Sequence, residues 1–270
     1  MPSSAATPSA SGRARRIAFF IWAAILSGVF GIGFFGLIVL IIGWFERSFG
    51  VSTPVSELSH GALAGVIITV GLLVQLRAPE RKIAGVQQAI LGLLAFMVTA
   101  LIGGRQEPLT ESLIFLAAVG ILVALHPARR EFFKPGAGLS PTLGAILMLG
   151  AVPAIGYAVI MLSEARRFVG PPHHADRYAE MAAAAIAVVL VGFLAALQTK
   201  GWTIPARSAG VAAIVVGMAS VVFPDAPGAL GSAWGAVTVG WGVLFLAAAE
   251  WEARHTSGET GKPEHNEEES

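Results

Sequence analysis

Eight apolar stretches free of Lys, Arg, Asp and Glu run along the chain, at 17–45, 58–76, 83–104, 112–128, 135–163, 181–199, 208–224 and 226–249. A membrane-crossing helix needs about 20 apolar residues, within about 17–25, because each residue rises 1.5 Å across a core of about 30 Å. All eight stretches meet that length. The two of 17 residues, 112–128 and 208–224, only just do, and a buried re-entrant segment is the alternative for each. The first stretch follows Arg13, Arg15 and Arg16 as a secretion signal would, but Ile17 to Phe45 is much longer than the roughly 7–15 apolar residues of a cleavable signal. It is expected to remain as a single helix.

Charge tests the count of eight independently. With the N-terminus inside and every stretch spanning, thirteen Lys and Arg fall on the cytoplasmic side and five on the outer side, and all four lysines are inside. This is the bias of the positive-inside rule. The expected fold class is an all-α integral membrane protein of eight transmembrane helices with both termini cytoplasmic, a multi-pass protein of the cytoplasmic (inner) membrane.

Composition agrees. The chain of 270 residues is 55% hydrophobic and 13% charged, with mean hydropathy +0.72, whereas soluble domains carry about 25% charged residues. The absence of cysteine excludes disulfides, thiolate metal sites and cysteine nucleophiles. A net charge of +1 gives no sign of nucleic-acid binding. The partners expected are membrane lipids, with a membrane-protein partner or a second copy of the chain as further possibilities.

The chain divides into a polar tail at 1–16, a first four-helix unit at 17–134, a second at 135–254, and an acidic tail at 255–270. Both tails are expected to be disordered, since neither carries enough apolar surface for a core. The two units read as copies of one another. Glu46 precedes His60 by 14 residues, as Glu164 precedes Tyr178, and Pro54 matches Pro172 at the same offset of 118. Ala84-Gly85-Val86 matches Ala209-Gly210-Val211, and Gly92 matches Gly217, at an offset of 125. Tandem units with an even number of helices share one orientation about an axis along the membrane normal.

Clustered glycines predict close helix packing in the first stretch (Gly28, Gly31, Gly33, Gly36) and in the last (Gly231, Gly235, Gly242), where Gly231 and Gly235 stand four apart. Trp22 and Trp44 suit interfacial belts, and Trp234, Trp241 and Phe245 form a packing stripe. Pro153, between Gly150 and Gly156, predicts a kink or break in the fifth helix.

No formal charge lies in the middle of a predicted helix, which weighs against a proton pump, a carboxylate-relay antiporter or a voltage sensor. Polar groups gather at the two faces instead. On the outer side, Glu57 and His60 are three apart at the start of the second helix and share a face. Tyr178 and Glu180 begin the sixth helix. These four are the candidate ligand-binding residues. His60, His173, His174 and Asp176 are the candidate metal ligands, since imidazole and carboxylate suit zinc, copper or iron, although adjacent histidines match no familiar metal spacing. On the inner side, Gln75 and the pair Gln87-Gln88 predict amide bonds to a neighbouring amide or backbone across a short turn.

Eight helices with both ends inside, two four-helix units and a Glu57/His60 pair at the outer start of the second helix together resemble heme A synthase-like membrane proteins. The resemblance implies haem-ligating histidines in even-numbered helices, with Glu57 and His60 matching the Glu and His of the first unit. Tyr178 stands at the position corresponding to His60 in the second unit, the fourth helix has no histidine before His126, and the eighth has none. The family's bis-histidine haem site is therefore not assembled on its usual pattern, and fold does not carry function with it.

Three function classes follow. The first is a small-solute or lipid transport or binding protein with an outward polar vestibule and no cofactor. The second is a non-catalytic accessory or assembly subunit. The third is a haem- or metal-dependent membrane enzyme. Catalytic-triad and phosphate-loop patterns are missing, so catalysis is the least favoured.

Overall fold

The computed structural model describes residues 10–45, 54–134 and 136–259, which form helices and turns. Among the described residues, eight helices are long and apolar enough to cross a membrane: α1 Ser11–Gly33, α2 Pro54–Leu76, α3 Ile83–Gly103, α4 Gln106–Leu125, α5 Pro141–Arg167, α6 Pro172–Ala196, α7 Thr203–Val222 and α8 Gly231–His255. The chain is an eight-span helical membrane protein.

Four helices form the centre. α2, α3, α6 and α7 are each buried over half or more of their most apolar window, against a third or less for α1, α4, α5 and α8. α2 packs on α3 and α7, and α6 packs on α3 and α7. α1 and α4 pack together outside α2 and α3, while α5 and α8 pack together outside α6 and α7. The outer helices keep apolar side chains at their surface, among them Met148, Leu149, Val152 and Val159 of α5. Such a surface is stable in lipid and not in water.

Glycine sets the closest approaches, because no hydrophobic force favours helix contact over lipid and tight packing must do so. A Cβ on Gly217 or on Gly235 would lie 2.8 Å from the other's carbonyl oxygen, and Gly210 and Gly242 meet one turn-pair further along α7 and α8. Gly71 and Gly85 bring α2 and α3 together in the same way. The expected packing role holds for Gly235 and Gly242, whereas Gly28 and Gly33 have open space beside them. The matched glycines do different work: Gly85 and Gly92 of α3 face α2, but Gly210 and Gly217 of α7 face α8.

The first helix departs from expectation. It does not run on to Phe45. Its last turn, Val29–Gly33, widens to π geometry, the chain reverses through Phe35 at φ 56°, and a short helix follows at Val39–Ile42. The cause is tertiary: a Cβ on Gly36 would meet the backbone of Ala64 and Gly65 at 2.8 Å, so the chain bends to lie directly on α2. α2 is itself irregular, with π geometry over Gly61–Thr69 immediately after His60. Conversely, α5 continues through Pro153 as one helix, so the expected break is absent there.

The described part of the tail expected to be disordered, residues 10–16, is helical, and the last helix includes residues up to Glu259, beyond the expected end at 254. Both extensions are continuations of an already nucleated helix, for which each added residue gains a hydrogen bond. Glu46 lies outside the described residues.

Candidate functional site

The bundle has two chemically distinct ends. One carries the starts of α2 and α6 with their carboxylates; the other carries the α2–α3, α4–α5 and α6–α7 connections with their lysines and arginines.

At the acidic end, Pro54 and Pro172 open α2 and α6, where a missing N–H costs nothing. One turn in, each helix presents two ionisable groups three residues apart, which puts them on one face. The two faces meet. Glu57 Oε1 lies 3.1 Å from Arg177 Nη1 as an ion pair, and His60 Nδ1 lies 3.6 Å from Glu180 Oε2, which is also 3.6 Å from Arg177. The result is a four-member chain, Glu57–Arg177–Glu180–His60, in which the Glu180 side chain is only 15% exposed. His60 Nε2 is 2.7 Å from the carbonyl of Phe34, so it donates there, and Nδ1 faces Glu180. His60 thereby ties α6 to the reversal that ends α1, where Phe35 occupies the left-handed region at a cost of about 1–3 kcal/mol. Among the described residues, two buried atoms here lack a hydrogen-bond partner, Glu180 Oε2 and Ser59 Oγ. Buried polar atoms are rarely left so.

Of the four ligand-binding candidates, Glu57, His60 and Glu180 come together. Tyr178 does not. A helix turns roughly 100° per residue, so Tyr178 points away from the Arg177/Glu180 face and packs beside Phe168, 6.1 Å between ring centres. Arg177 is the member that sequence reasoning passed over. Its spacing to Glu180, the same as that of Glu57 to His60, was the available signal.

The metal candidates are separated. Arg105 binds Asp176 at 2.5 Å and the carbonyl of Pro172 at 2.8 Å, clamping the α3–α4 turn onto the start of α6. His174 stacks on Phe168, and His173 lies against His174. Among the described residues no three His, Asp or Glu side chains form a group suited to a metal ion.

At the basic end a second polar network is structural in character. Gln75, Gln88 and His126 are fully buried. The amide bonds expected there form with backbone: Gln75 donates to Lys82 O at 2.8 Å, Gln87 to Phe132 O at 2.8 Å and Gln88 to Ile67 O at 2.7 Å. Gln88 also reaches Ser208 of α7 at 3.0 Å, so one amide joins three central helices. His126 Nδ1 accepts from the Ala128 N–H, which leaves Nε2–H to donate to Gln75 Oε1 at 3.3 Å. His60 and His126 thus sit at opposite ends of the bundle, each in a protein–protein network.

Burial pushes the pKa of His126 down to about 4. The folded protein keeps this ring neutral where the unfolded chain, titrating near its usual value of about 6.5, has taken up a proton. Stability should therefore fall as pH drops from about 6.5 toward 4, then level off, with a slope of up to about 1.4 kcal/mol per pH unit. Thermal unfolding at pH 7.5 and pH 5 should show a larger drop for the wild type than for His126→Gln. An equal drop in both would assign the acid sensitivity to other groups.

Comparison of the chain with family models, curated proteins and solved structures returns no match.

Proposed function

We propose that this protein binds, and carries across a cytoplasmic membrane, a small cationic solute that enters at the acidic end between α2 and α6, with both chain termini on the opposite, inner side. The observation that carries the reading is Glu180: a largely buried carboxylate whose Oε2 lies 3.6 Å from both the Arg177 guanidinium and His60 Nδ1 and, among the described residues, accepts no hydrogen bond. That oxygen suits an ammonium group, which would donate to it directly.

Charge favours the same class of solute. Glu111 of α4 lies within electrostatic reach of Glu107, Glu180, Asp176 and His60. Counting Glu57 with them, five carboxylates surround a site that, among the described residues, holds two guanidinium groups, Arg105 and Arg177. The surrounding backbone is irregular, with π geometry at Val29–Gly33 and Gly61–Thr69. Irregular helices at membrane depth line binding sites in many carriers, and π turns gather at functional positions. Here the π segments of α1 and α2 flank His60. A proton on Nδ1 of His60 would occupy Glu180 and compete with the solute, so binding should weaken as the medium is acidified.

A panel of primary amines, quaternary ammonium ions, neutral sugars and carboxylates tests the reading, scored by thermal stabilisation of the purified protein and by uptake into proteoliposomes. Cationic members alone should stabilise and enter. Glu180→Gln should weaken the response at least about tenfold, the loss of one charge-assisted hydrogen bond. No response to any cation, or a wild-type response in Glu180→Gln, would reject it.

A further inference from the structure

A cavity lies at the basic end, where three connections converge. It measures about 200 Å³ and is lined by Ile83 and Gln87 of α3, Glu131 and Lys134 after α4, and Thr199 and Lys200 after α6. We propose that it holds the headgroup of an anionic phospholipid bearing a free hydroxyl, of the phosphatidylglycerol type. The inference is independent of the cation site at the opposite end.

The cavity is a built feature. Ala84 N–H donates to the carbonyl of Lys200 at 3.1 Å, and Ala137 N–H to that of Gln198 at 3.3 Å, so backbone bonds fix its walls against one another. Gly201, at φ 88°, lets the α6–α7 turn rest on Arg81 and Lys82, where a Cβ would lie 2.9 Å from the Lys82 Cα. A volume of 200 Å³ is roughly that of six waters in the liquid, room for a phosphate and a short polyol but not for acyl chains.

Its donors and acceptors match that headgroup. Lys200 binds Glu131 at 3.0 Å; the bond holds the Glu131 carboxyl below the usual carboxylate range. Lys134 makes no ion pair among the described residues, so one positive charge is left over. Thr199 is only 8% exposed, lines the cavity, and its Oγ1 has no hydrogen-bond partner among the described residues. A lysine ammonium and a free hydroxyl proton are the donors a phosphate monoanion accepts from. Gln87 adds the opposite requirement. Its amide N–H₂ is committed to Phe132 O, while Oε1 is buried with no hydrogen-bond partner among the described residues. An acceptor beside a phosphate site asks for a ligand hydroxyl.

The neighbouring surface suits the rest of a lipid. Phe133, next to Lys134, is 91% exposed, the disposition of an aromatic side chain seated in the membrane interface. Acyl chains would pass along it into the bilayer.

Calorimetric titration of the full chain in neutral micelles with dioctanoyl lipids tests the proposal. Dioctanoylphosphatidylglycerol should bind saturably to one site, with the phosphatidylcholine of the same chain length at least about tenfold weaker. Dioctanoylphosphatidylmethanol, equal in charge but without the hydroxyl, should be about fivefold weaker, reporting on Gln87. Lys134→Gln should weaken phosphatidylglycerol about fivefold, and Thr199→Val about tenfold, both with wild-type melting midpoints. Equal binding of phosphatidylglycerol and phosphatidylcholine would overturn the site, as would wild-type affinity in both variants. Glycerol 3-phosphate binding as tightly as the lipid would overturn the lipid assignment in favour of a soluble phosphate ester.

Discussion

Gly65→Ala should lower stability by about 3 kcal/mol, at the upper end of what one added carbon costs in a packed interior. In most helices that exchange gains up to about 1 kcal/mol. Here the new Cβ would be driven onto the carbonyl of Gly36, with Leu40 on its other side at 3.2 Å. The obstructing atom is backbone, held by the reversal that ends α1, so no side-chain rotation relieves the clash. For a chain of this size the melting midpoint should fall by roughly 6–12 °C. Gly28→Ala is the matched control, since its Cβ meets nothing within 4 Å, and it should be neutral or slightly stabilising. The two variants, melted side by side in the same detergent, should separate clearly. Coincident curves would mean that α1 does not lie on α2 through these glycines. Gly65→Ala should also lose the cation response, because displacing the reversal moves the Phe34 carbonyl that orients His60.

Arg177→Ala should cost about 2 kcal/mol. Removing one partner of a fully buried ion pair costs about 3–5 kcal/mol, mostly through the charge left behind. Arg177 stands between two carboxylates, Glu57 and Glu180, but is itself 36% exposed, and solvent screens part of the loss. Arg177→Lys should recover only part of it, because one ammonium reaches both carboxylates less well than a planar guanidinium. The decisive comparison is the double variant Glu57→Gln/Arg177→Ala. It should be more stable than Arg177→Ala alone, since it removes one of the charges left unpaired. A double variant that melts lower than Arg177→Ala would show that Glu57 has a partner worth more than Arg177.

Chain-local properties were legible before the fold was known. The eight spans follow from the length of charge-free runs, because the energy of a residue in hydrocarbon depends on its own side chain. Pro54 and Pro172 marked helix starts for a similarly local reason, the missing N–H. The face shared by Glu57 and His60 follows from helix pitch alone. Gln75, Gln87 and Gln88 were visible as groups that need partners, since an unpaired amide in an apolar setting is costly wherever it lies.

What the sequence could not decide depends on which helices touch. Hydropathy alone does not separate the four central helices from the four that face lipid, because a membrane core and a protein core are equally apolar. The first helix breaks where no proline stands, since Gly36 and Gly65 must approach backbone to backbone, while α5 runs through Pro153. Arg177 and Glu180 became half of the acidic-end network only when α6 packed on α2, and the same rotation carried Tyr178 away to Phe168. Thr199 and Gln87 came to share a cavity through the docking of three connections far apart in the chain. The spans and their polar ends were set by single-residue energies, which a sequence displays; the sites were set by the meeting of faces, which only the packed bundle determines.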